Sequence, residues 1–317
     1  KLVGGDVLVT NFNNSAGLAG AGTTIVQIDP RTGASSLFYQ GSKTVVGPVG
    51  IVFNPAKDVV WLGDYGPANA QGVYDGAQAN VDVILPSGKL VATFNNATTG
   101  THIFNGVWGQ GVSDVNGHIA FYWPNAGDGT TGTGGGGVWR LNPLAGNVGQ
   151  PLESTYDLVA KGLGYANTPG TNASNAGGPQ GMVYDPANGT LYVTDDVTNQ
   201  IIAIPDAASA SGPVTTKVIA SGGRLDAPQG IALNPTNGDL LVVNGAGNND
   251  LLEYTPAGKL VAHRDLLPGQ APGALFGLAA TETPSHQLVV YYGDDDTNTL
   301  WQLTSPPPPP APPGPMG

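Results

Sequence analysis

Gly230-Ile-Ala-Leu-Asn-Pro-Thr-Asn-Gly-Asp-Leu-Leu-Val-Val-Asn244 reads as two short apolar strands joined by an Asn-Pro turn. Variants of the same stretch stand at Gly181-Met-Val-Tyr-Asp-Pro-Ala-Asn-Gly-Thr-Leu-Tyr-Val-Thr-Asp195 and at Gly50-Ile-Val-Phe-Asn-Pro-Ala-Lys-Asp-Val-Val-Trp-Leu-Gly-Asp64. A strand–turn–strand unit that returns every 45 to 70 residues or so cannot bury its apolar faces alone, so neighbouring copies must stack. The chain is therefore an array of small β-sheets, and radial stacking of such sheets is the architecture that closes them on one another.

Working outward from these copies, the inner strand of each unit opens at a glycine: Gly50, Gly111, Gly181, Gly230 and Gly277. Second strands follow at Val59 to Leu62, Ile119 to Trp123, Leu191 to Thr194, Leu240 to Val243 and Leu288 to Tyr292, and Val7 to Thr10 is a sixth copy. Their near-continuous apolar runs fit strands buried on both faces. Third strands read Ile25 to Ile28, Val81 to Leu85, Val138 to Leu141, Ile201 to Ile204, Leu251 to Tyr254 and Leu300 to Leu303. Outer strands such as Leu90 to Phe94 and Leu260 to His263 follow Pro-x-Gly-Lys turns. The spacing predicts an all-β, six-bladed propeller of four-stranded antiparallel blades over 1–304, followed by a proline-rich tail, 305–317. In this register the first blade lacks its inner strand and the last lacks its outer one.

Composition narrows the class. Charged residues make up 11% of 317 residues, whereas Gly and Pro number 49 and 27, the profile of a turn-rich β protein with little charge. The formal net charge of −12 disfavours nucleic acid or an anionic membrane as a partner, since phosphate contacts need cationic side chains. There is no cysteine, so no disulfide and no thiolate metal site. No stretch is long and apolar enough to span a bilayer, and the sequence starts at Lys1, which together suggest a mature secreted or cell-surface protein.

The repeat pattern G-[IV]-x-x-[ND]-P-x-x-G-x-L-[YV]-V-x-[DN], strongest in the units at Gly50, Gly181 and Gly230, resembles the NHL repeat of six-bladed propellers, over about residues 4 to 304. More distantly, the chain is similar to the streptogramin lyases and peptide amidating lyases, whose resemblance implies channel-facing histidines around a metal. Their pattern does not carry over. Of the four histidines only His102 lies in a loop toward the channel mouth; His118 and His286 sit in turns on the other face, and His263 ends an outer strand. The gluconolactonase and regucalcin-like propellers, which hold a divalent cation with Glu, Asn and Asp, find no matching glutamate here.

Long loops on a rigid frame concentrate binding, and they all emerge on one face of this ring. His102, Asn105, Trp108, Gln180, Gln229 and Phe276, near the starts of inner strands, are the candidate ligand-binding residues at the mouth. Aromatic faces and amides around a concave rim suit a carbohydrate or a peptide. Asp294, Asp296 and Asn298 alternate as in the opening of a calcium loop, which makes calcium the candidate cofactor, although the glycine and glutamate expected later in such a loop are missing. An Asn or Asp ends the second strand of every unit, at Asn11, Asp64, Asn125, Asp195, Asn244 and Asp294, where capping of the following turn is the plain explanation. The reading that results is a secreted, non-catalytic binding or self-assembly module. Its partner is a second copy, head to tail through the proline arm, or an extracellular protein or glycan. The alternative is a metal-dependent lyase or hydrolase at the mouth.

Overall fold

In a computed structural model of the chain, residues 3–13, 20–41, 47–54, 59–66, 78–125, 136–142, 154–164 and 177–307 are described. They form six antiparallel sheets. Blade 1 contains β1 (Val7–Asn11), β2 (Thr24–Ile28) and β3 (Ser35–Gln40). Blade 2 contains β4 (Pro48–Phe53), β5 (Val60–Asp64), β6 (Asn80–Ile84) and β7 (Leu90–Phe94), and the one-turn helix α1 (Asn96–Thr99) follows it. Blade 3 runs β8 (Gly111–Val115), β9 (His118–Asn125), β10 (Gly137–Asn142) and β11 (Thr155–Lys161). Blade 4 is β12 (Pro179–Asp185), β13 (Thr190–Asp195), β14 (Gln200–Ile204) and β15 (Lys217–Ser221); blade 5 is β16 (Pro228–Leu233), β17 (Leu240–Asn244), β18 (Asp250–Tyr254) and β19 (Leu260–Asp265). Blade 6 has β20 (Leu275–Glu282), β21 (Leu288–Asp294) and β22 (Thr299–Thr304). The architecture is the six-bladed propeller that the repeat predicts, with three strands instead of four in the first and last sheets.

Apolar residues are buried between blades, because each sheet has two apolar faces and a neighbour on each side. Five clusters fill five seams. Trp61 of blade 2 stacks on Phe121 of blade 3 at 4.6 Å between ring centroids, and Leu191 of blade 4 packs with Tyr122 and Val138 of blade 3. Ile25 and Phe38 meet Val60 and Leu62; Tyr192 meets Leu240 and Val242; Val243 meets Leu275 and Val290. No cluster of the described residues joins blade 6 to blade 1.

Around the axis the inner strands touch backbone to backbone, which is why each opens at a glycine. A Cβ on Gly181 would stand 2.4 Å from the Gln229 carbonyl oxygen, and one on Gly230 would stand 2.6 Å from that of Phe276. A Cβ on Gly50 would stand 2.6 Å from the Trp108 carbonyl, to which the Gly50 N–H donates at 3.0 Å. The structure corrects the alignment in blade 3: Gly109 holds this place, its notional Cβ 2.1 Å from the Gln180 carbonyl, while Gly111 lies further along the strand. Pairing agrees, since Val107 bridges Asn125 as Pro179 pairs with Asp195. The bulge between Val107 and Gly111 is common to blades 2, 4, 5 and 6, and the shift arises instead because the blade 3 hairpin pairs as far as Val115 and His118 around a two-residue turn, which lengthens the span from the axial glycine to Asn125.

β1 occupies the position of a second strand. Thr10 Oγ1 donates to the Val49 carbonyl at 2.8 Å, the counterpart of the bond from Thr194 Oγ1 on β13 to the Gln229 carbonyl. Between blades 3 and 4, Arg140 is 5% exposed and its guanidinium donates to the carbonyls of Ala207 and Ala210, both at 2.6 Å, and to Asp157 at 2.7 Å. That set fastens the 205–212 connection of blade 4 to its neighbour, a structural use of a buried charge.

Candidate functional site

The residues before the axial glycines are Val49, Trp108, Gln180, Gln229 and Phe276 in ring order, at the same end of the inner strands. Most of the long loops that form this end, including 14–19, 67–77, 126–135 and 165–176, lie outside the described residues, so the site is built from its floor.

Trp108 dominates one half of that floor. Its indole meets Phe276 of the opposite blade at 6.2 Å, Tyr65 edge-on at 5.0 Å and Phe12 edge-on at 5.4 Å. Three rings from three other blades therefore meet around one indole. Tyr65 is 2% exposed, whereas Phe276 keeps 37% of its surface, so the group is anchored at one side and open at the other. Edge-to-face contacts of this kind hold rings in fixed orientations.

The other half is polar. Asp196 Oδ2 accepts from Gln180 Nε2 at 3.0 Å and from Gln229 Nε2 at 3.4 Å, and its Oδ1 accepts from the Gly178 N–H at 2.7 Å. Burial pushes the Asp196 carboxyl up to about 6, with the charge of Asp195 adding to the rise and the three donors opposing it. Gln180 Oε1 and Gln229 Oε1 are buried without a partner among the described residues, as are both amide atoms of Gln110. Buried amide oxygens of that kind are ready acceptors for an N–H or O–H group.

Of the sequence candidates, Trp108 and Phe276 are thus brought together, and so are Gln180 and Gln229. His102 is exposed on the loop after α1. Asn105 is 6% exposed, and its backbone N–H donates to Asn125 Oδ1 at 3.3 Å, so it ties the loop to a strand end. Sequence reasoning missed Phe12, Tyr65 and Asp196 as mouth residues. Their signal was the six polar strand ends: each stands one position after such an end, where the chain turns into the mouth.

Those polar ends all fall at the last residue of the second strand, and they pin the incoming loop. Asn244 accepts from the Asp226 N–H at 3.1 Å and donates to the Arg224 carbonyl at 2.7 Å. Asp195 accepts from the N–H groups of Gly164 and Thr198. Asp294, 1% exposed, accepts from Gln270 Nε2 at 3.2 Å and from Thr297 Oγ1 at 2.7 Å. Burial raises its pKa, but the donors of Thr297 and Gln270 outweigh it and hold the carboxyl below its usual value. Asp296 and Asn298 are exposed on the turn that follows. Asn298 has φ +53°, matching Asn199 at +52° and Asn249 at +52° in the same turn of blades 4 and 5. The alternation Asp294, Asp296, Asn298 therefore coincides with a turn whose first and last positions are set by backbone geometry. Among the described residues no three His, Cys, Asp or Glu side chains are placed to share an ion. Four Asn-x-Ser/Thr triplets start at Asn13, Asn96, Asn172 and Asn188, and of these Asn96 and Asn188 spend their side-chain amides on Phe104 and Tyr192, at 2.8 and 3.1 Å. Asn172 lies outside the described residues.

With this geometry in hand, the chain was compared with known proteins. No family model matches it. No curated protein matches it either. Solved structures do: a chain from a crystal structure of a nidogen/laminin complex superposes with a TM-score of 0.60 at 15% identity, covering 95% of this chain and 89% of that one. A protein of unknown function from Bacteroides caccae gives a TM-score of 0.52 at 12% identity, covering 95% and 94%. These likenesses establish the β-propeller fold. Among the described residues no helix is long and apolar enough to cross a membrane.

Proposed function

We propose that the chain is a secreted, non-catalytic propeller whose long-loop mouth binds an extracellular protein or glycan. The observation that carries the reading is the division of the mouth. A Trp108-centred aromatic wall faces the Asp196–Gln180–Gln229 amide set, so a ligand can stack on one side and exchange hydrogen bonds on the other. A sugar ring has an apolar face and a hydroxyl rim, and a peptide has side chains and amides; both fit that division. One of the solved structures with this fold comes from a nidogen/laminin complex, which makes a protein the first candidate.

The test is selection on a glycan array and on a displayed peptide library, with each selected ligand titrated against Trp108→Ala and Gln180→Ala. Losses of about tenfold or more in both variants, with unchanged far-ultraviolet spectra, are expected. Ligands that bind Trp108→Ala as tightly as the parent protein overturn the reading.

Self-assembly belongs to the same proposal. The third strand of blade 6 ends at Thr304, on the face opposite the mouth, and Ser305 is fastened there by its N–H to the Leu288 carbonyl at 2.9 Å. Residues 308–317 lie outside the described residues; a polyproline arm of about ten residues at roughly 3.1 Å each would reach some 30 Å. An arm leaving one face toward a mouth on the other gives head-to-tail contact, which builds open chains. Deleting 306–317 and measuring mass by light scattering checks it: a larger mass that falls to the monomer on deletion is expected, and a monomer in both cases removes the arm's role. A lyase or hydrolase is the second reading, favoured by Asp196, whose carboxyl at about 6 stands where a general acid or base works near neutral pH.

A further inference from the structure

Gln180 and Gln229 are neighbours in ring order, with Trp108 before them and Phe276 after them, and those two rings meet at 6.2 Å between centroids. Asp196 Oδ2 takes one N–H from each glutamine, which sets both side-chain amides with their nitrogens toward the carboxylate and their oxygens away from it. Gln180 and Gln229 are 3% and 6% exposed, and each Oε1 is buried with no partner among the described residues. With the Gly178 N–H on Oδ1, Asp196 accepts three hydrogen bonds, one fewer than a carboxylate can take. Three acceptors from two blades therefore have capacity left for a donor, and the same blades supply none.

The charge around them is of one sign. Asp196 takes part in no ion pair of the described residues, and the charge that acts on it is that of Asp195, which repels. At this end of blades 4 to 6 the strand ends and turns carry Asp195, Asp226, Asp265, Asp294, Asp295 and Asp296. Arg224 and Arg264 are the basic residues there, and Arg224 is bound to Asp250 at 2.9 Å. In sequence, 14–19, 67–77, 126–135 and 165–176 contain Asp75 and Asp128 and no Lys or Arg, while 42–46 contains Lys43. An acidic end of this kind draws cations toward it and turns anions away.

We propose that the mouth takes an arginine side chain of a partner protein, its guanidinium against the Phe276 and Trp108 rings and its N–H groups on Asp196 and the free oxygens of Gln180 and Gln229. A guanidinium is planar and stacks on aromatic faces, carries five donors in a fixed fork, and is charged at every working pH. A sugar hydroxyl brings donors without charge, and an acidic side chain adds a second carboxylate to one already desolvated. Both glutamine oxygens are screened from water, so the entering group displaces a neighbour, and Phe276 is the most exposed of the four rings at the mouth. This inference rests on the mouth-binding reading and narrows its ligand to one side chain of a protein.

The probes are the tripeptide amide acetyl-Gly-Arg-Gly, its citrulline counterpart, which keeps the shape of arginine without the charge, and its lysine counterpart. Each is titrated into the full chain while the Trp108 indole N–H resonance, assigned with Trp108→Phe, is followed by NMR. A saturable shift with the arginine peptide is expected, with a Kd on the order of 1 mM or below. Citrulline should bind at least about tenfold more weakly, a comparison that leaves the protein unaltered. Asp196→Asn should remove the preference, so that arginine and citrulline bind alike. No shift with arginine, equal binding of arginine and citrulline to the parent protein, or an undiminished preference in Asp196→Asn overturns the inference. Lysine binding as tightly as arginine overturns the guanidinium and leaves the charge. The mouth-binding reading is decided separately: selected ligands that are neutral or acidic, yet depend on Trp108 and Gln180, sustain that reading and overturn the arginine.

Discussion

The seam between blades 4 and 5 and the seam between blades 6 and 1 are built from the same repeat, yet among the described residues only the first is closed. At the closed seam Gly181 rests on the Gln229 carbonyl, Thr194 donates to that same carbonyl, and Tyr192, Ile201 and Ala203 pack on Leu240 and Val242. At the open one a Cβ on Gly277 would meet no described atom within 4 Å, β20 is exposed along much of its length, and no apolar cluster of the described residues crosses. The strands on both sides are the same kind of strand. What differs is a neighbour, so seam stability in this ring is a property of pairs of blades and not of any blade alone.

The largest effect expected from that contrast is at the glycines. Gly181→Val places a Cβ 2.4 Å from a backbone oxygen and 3.0 Å from the Ile231 nitrogen, neither of which can move without shifting an inner strand. A loss of about 3 kcal/mol or more, seen as failure to give a cooperative melt, is expected. Gly277→Val should melt within about 1 kcal/mol of the parent. Equal damage from both substitutions would mean that the sixth seam is closed in solution.

Tryptophans sharpen the same comparison at the next size down. Trp61, 1% exposed, stacks on Phe121 across a closed seam, whereas Trp301 on β22, the outermost described strand of blade 6, keeps 46% of its surface. Trp61→Ala should cost about 3–5 kcal/mol in urea melts and Trp301→Ala less than about 1.

Buried charge at a closed seam gives an effect of on the order of 2–3 kcal/mol, and its sign depends on pH. Asp82 on β6 is fully buried; its Oδ1 accepts from Thr93 Oγ1 and its Oδ2 has no partner among the described residues. Burial pushes its pKa up to about 7, and the Thr93 bond offsets part of the rise. The folded state therefore holds the proton more tightly than the unfolded chain. The group's favourable contribution is complete below pH 4 or so and is lost as pH rises through about 7. Asp82→Asn should equal the parent near pH 4 and exceed it by on the order of 2–3 kcal/mol at pH 8. A gap that does not widen with pH would show that Asp82 is solvated in the fold.

Much of this ring was legible in the sequence because its signals are local. Apolar runs and Asn-Pro turns placed the strands, and the polar residue ending each second strand fell at the strand end in all six blades. Blade 3 resisted, since Gly109-Gln-Gly111 offers two glycines, and only contact with the Gln180 carbonyl shows which one is axial. The mouth was legible in part. Trp108, Gln180, Gln229 and Phe276 share one position of the repeat, but their division into an aromatic and an amide half depends on which blades face each other across the axis. Phe12 and Asp196 share the position after a polar strand end, but only the closure shows which rings and amides they meet.

The smallest expected effect concerns calcium at the turn of blade 6, beside the open seam. Three oxygen-bearing side chains at alternate positions can wrap one ion only if all three turn inward. Here Asp294 turns inward and is already occupied by Thr297 and Gln270, while Asp296 and Asn298 stand on the exposed side of the turn. Blade 4 carries the matching turn, with Asp195 accepting from Thr198 and Asn199 at φ +52°, and there the central acid is replaced by Val197. A turn that forms without a central acid in one blade does not depend on an ion in the other. Melting in millimolar calcium and in chelator should agree within about 1 °C, and Asp296→Asn should leave both curves in place. A calcium-dependent rise of several degrees that Asp296→Asn abolishes would show the turn reorganising around an ion, and would make the open seam a ligand-closed one.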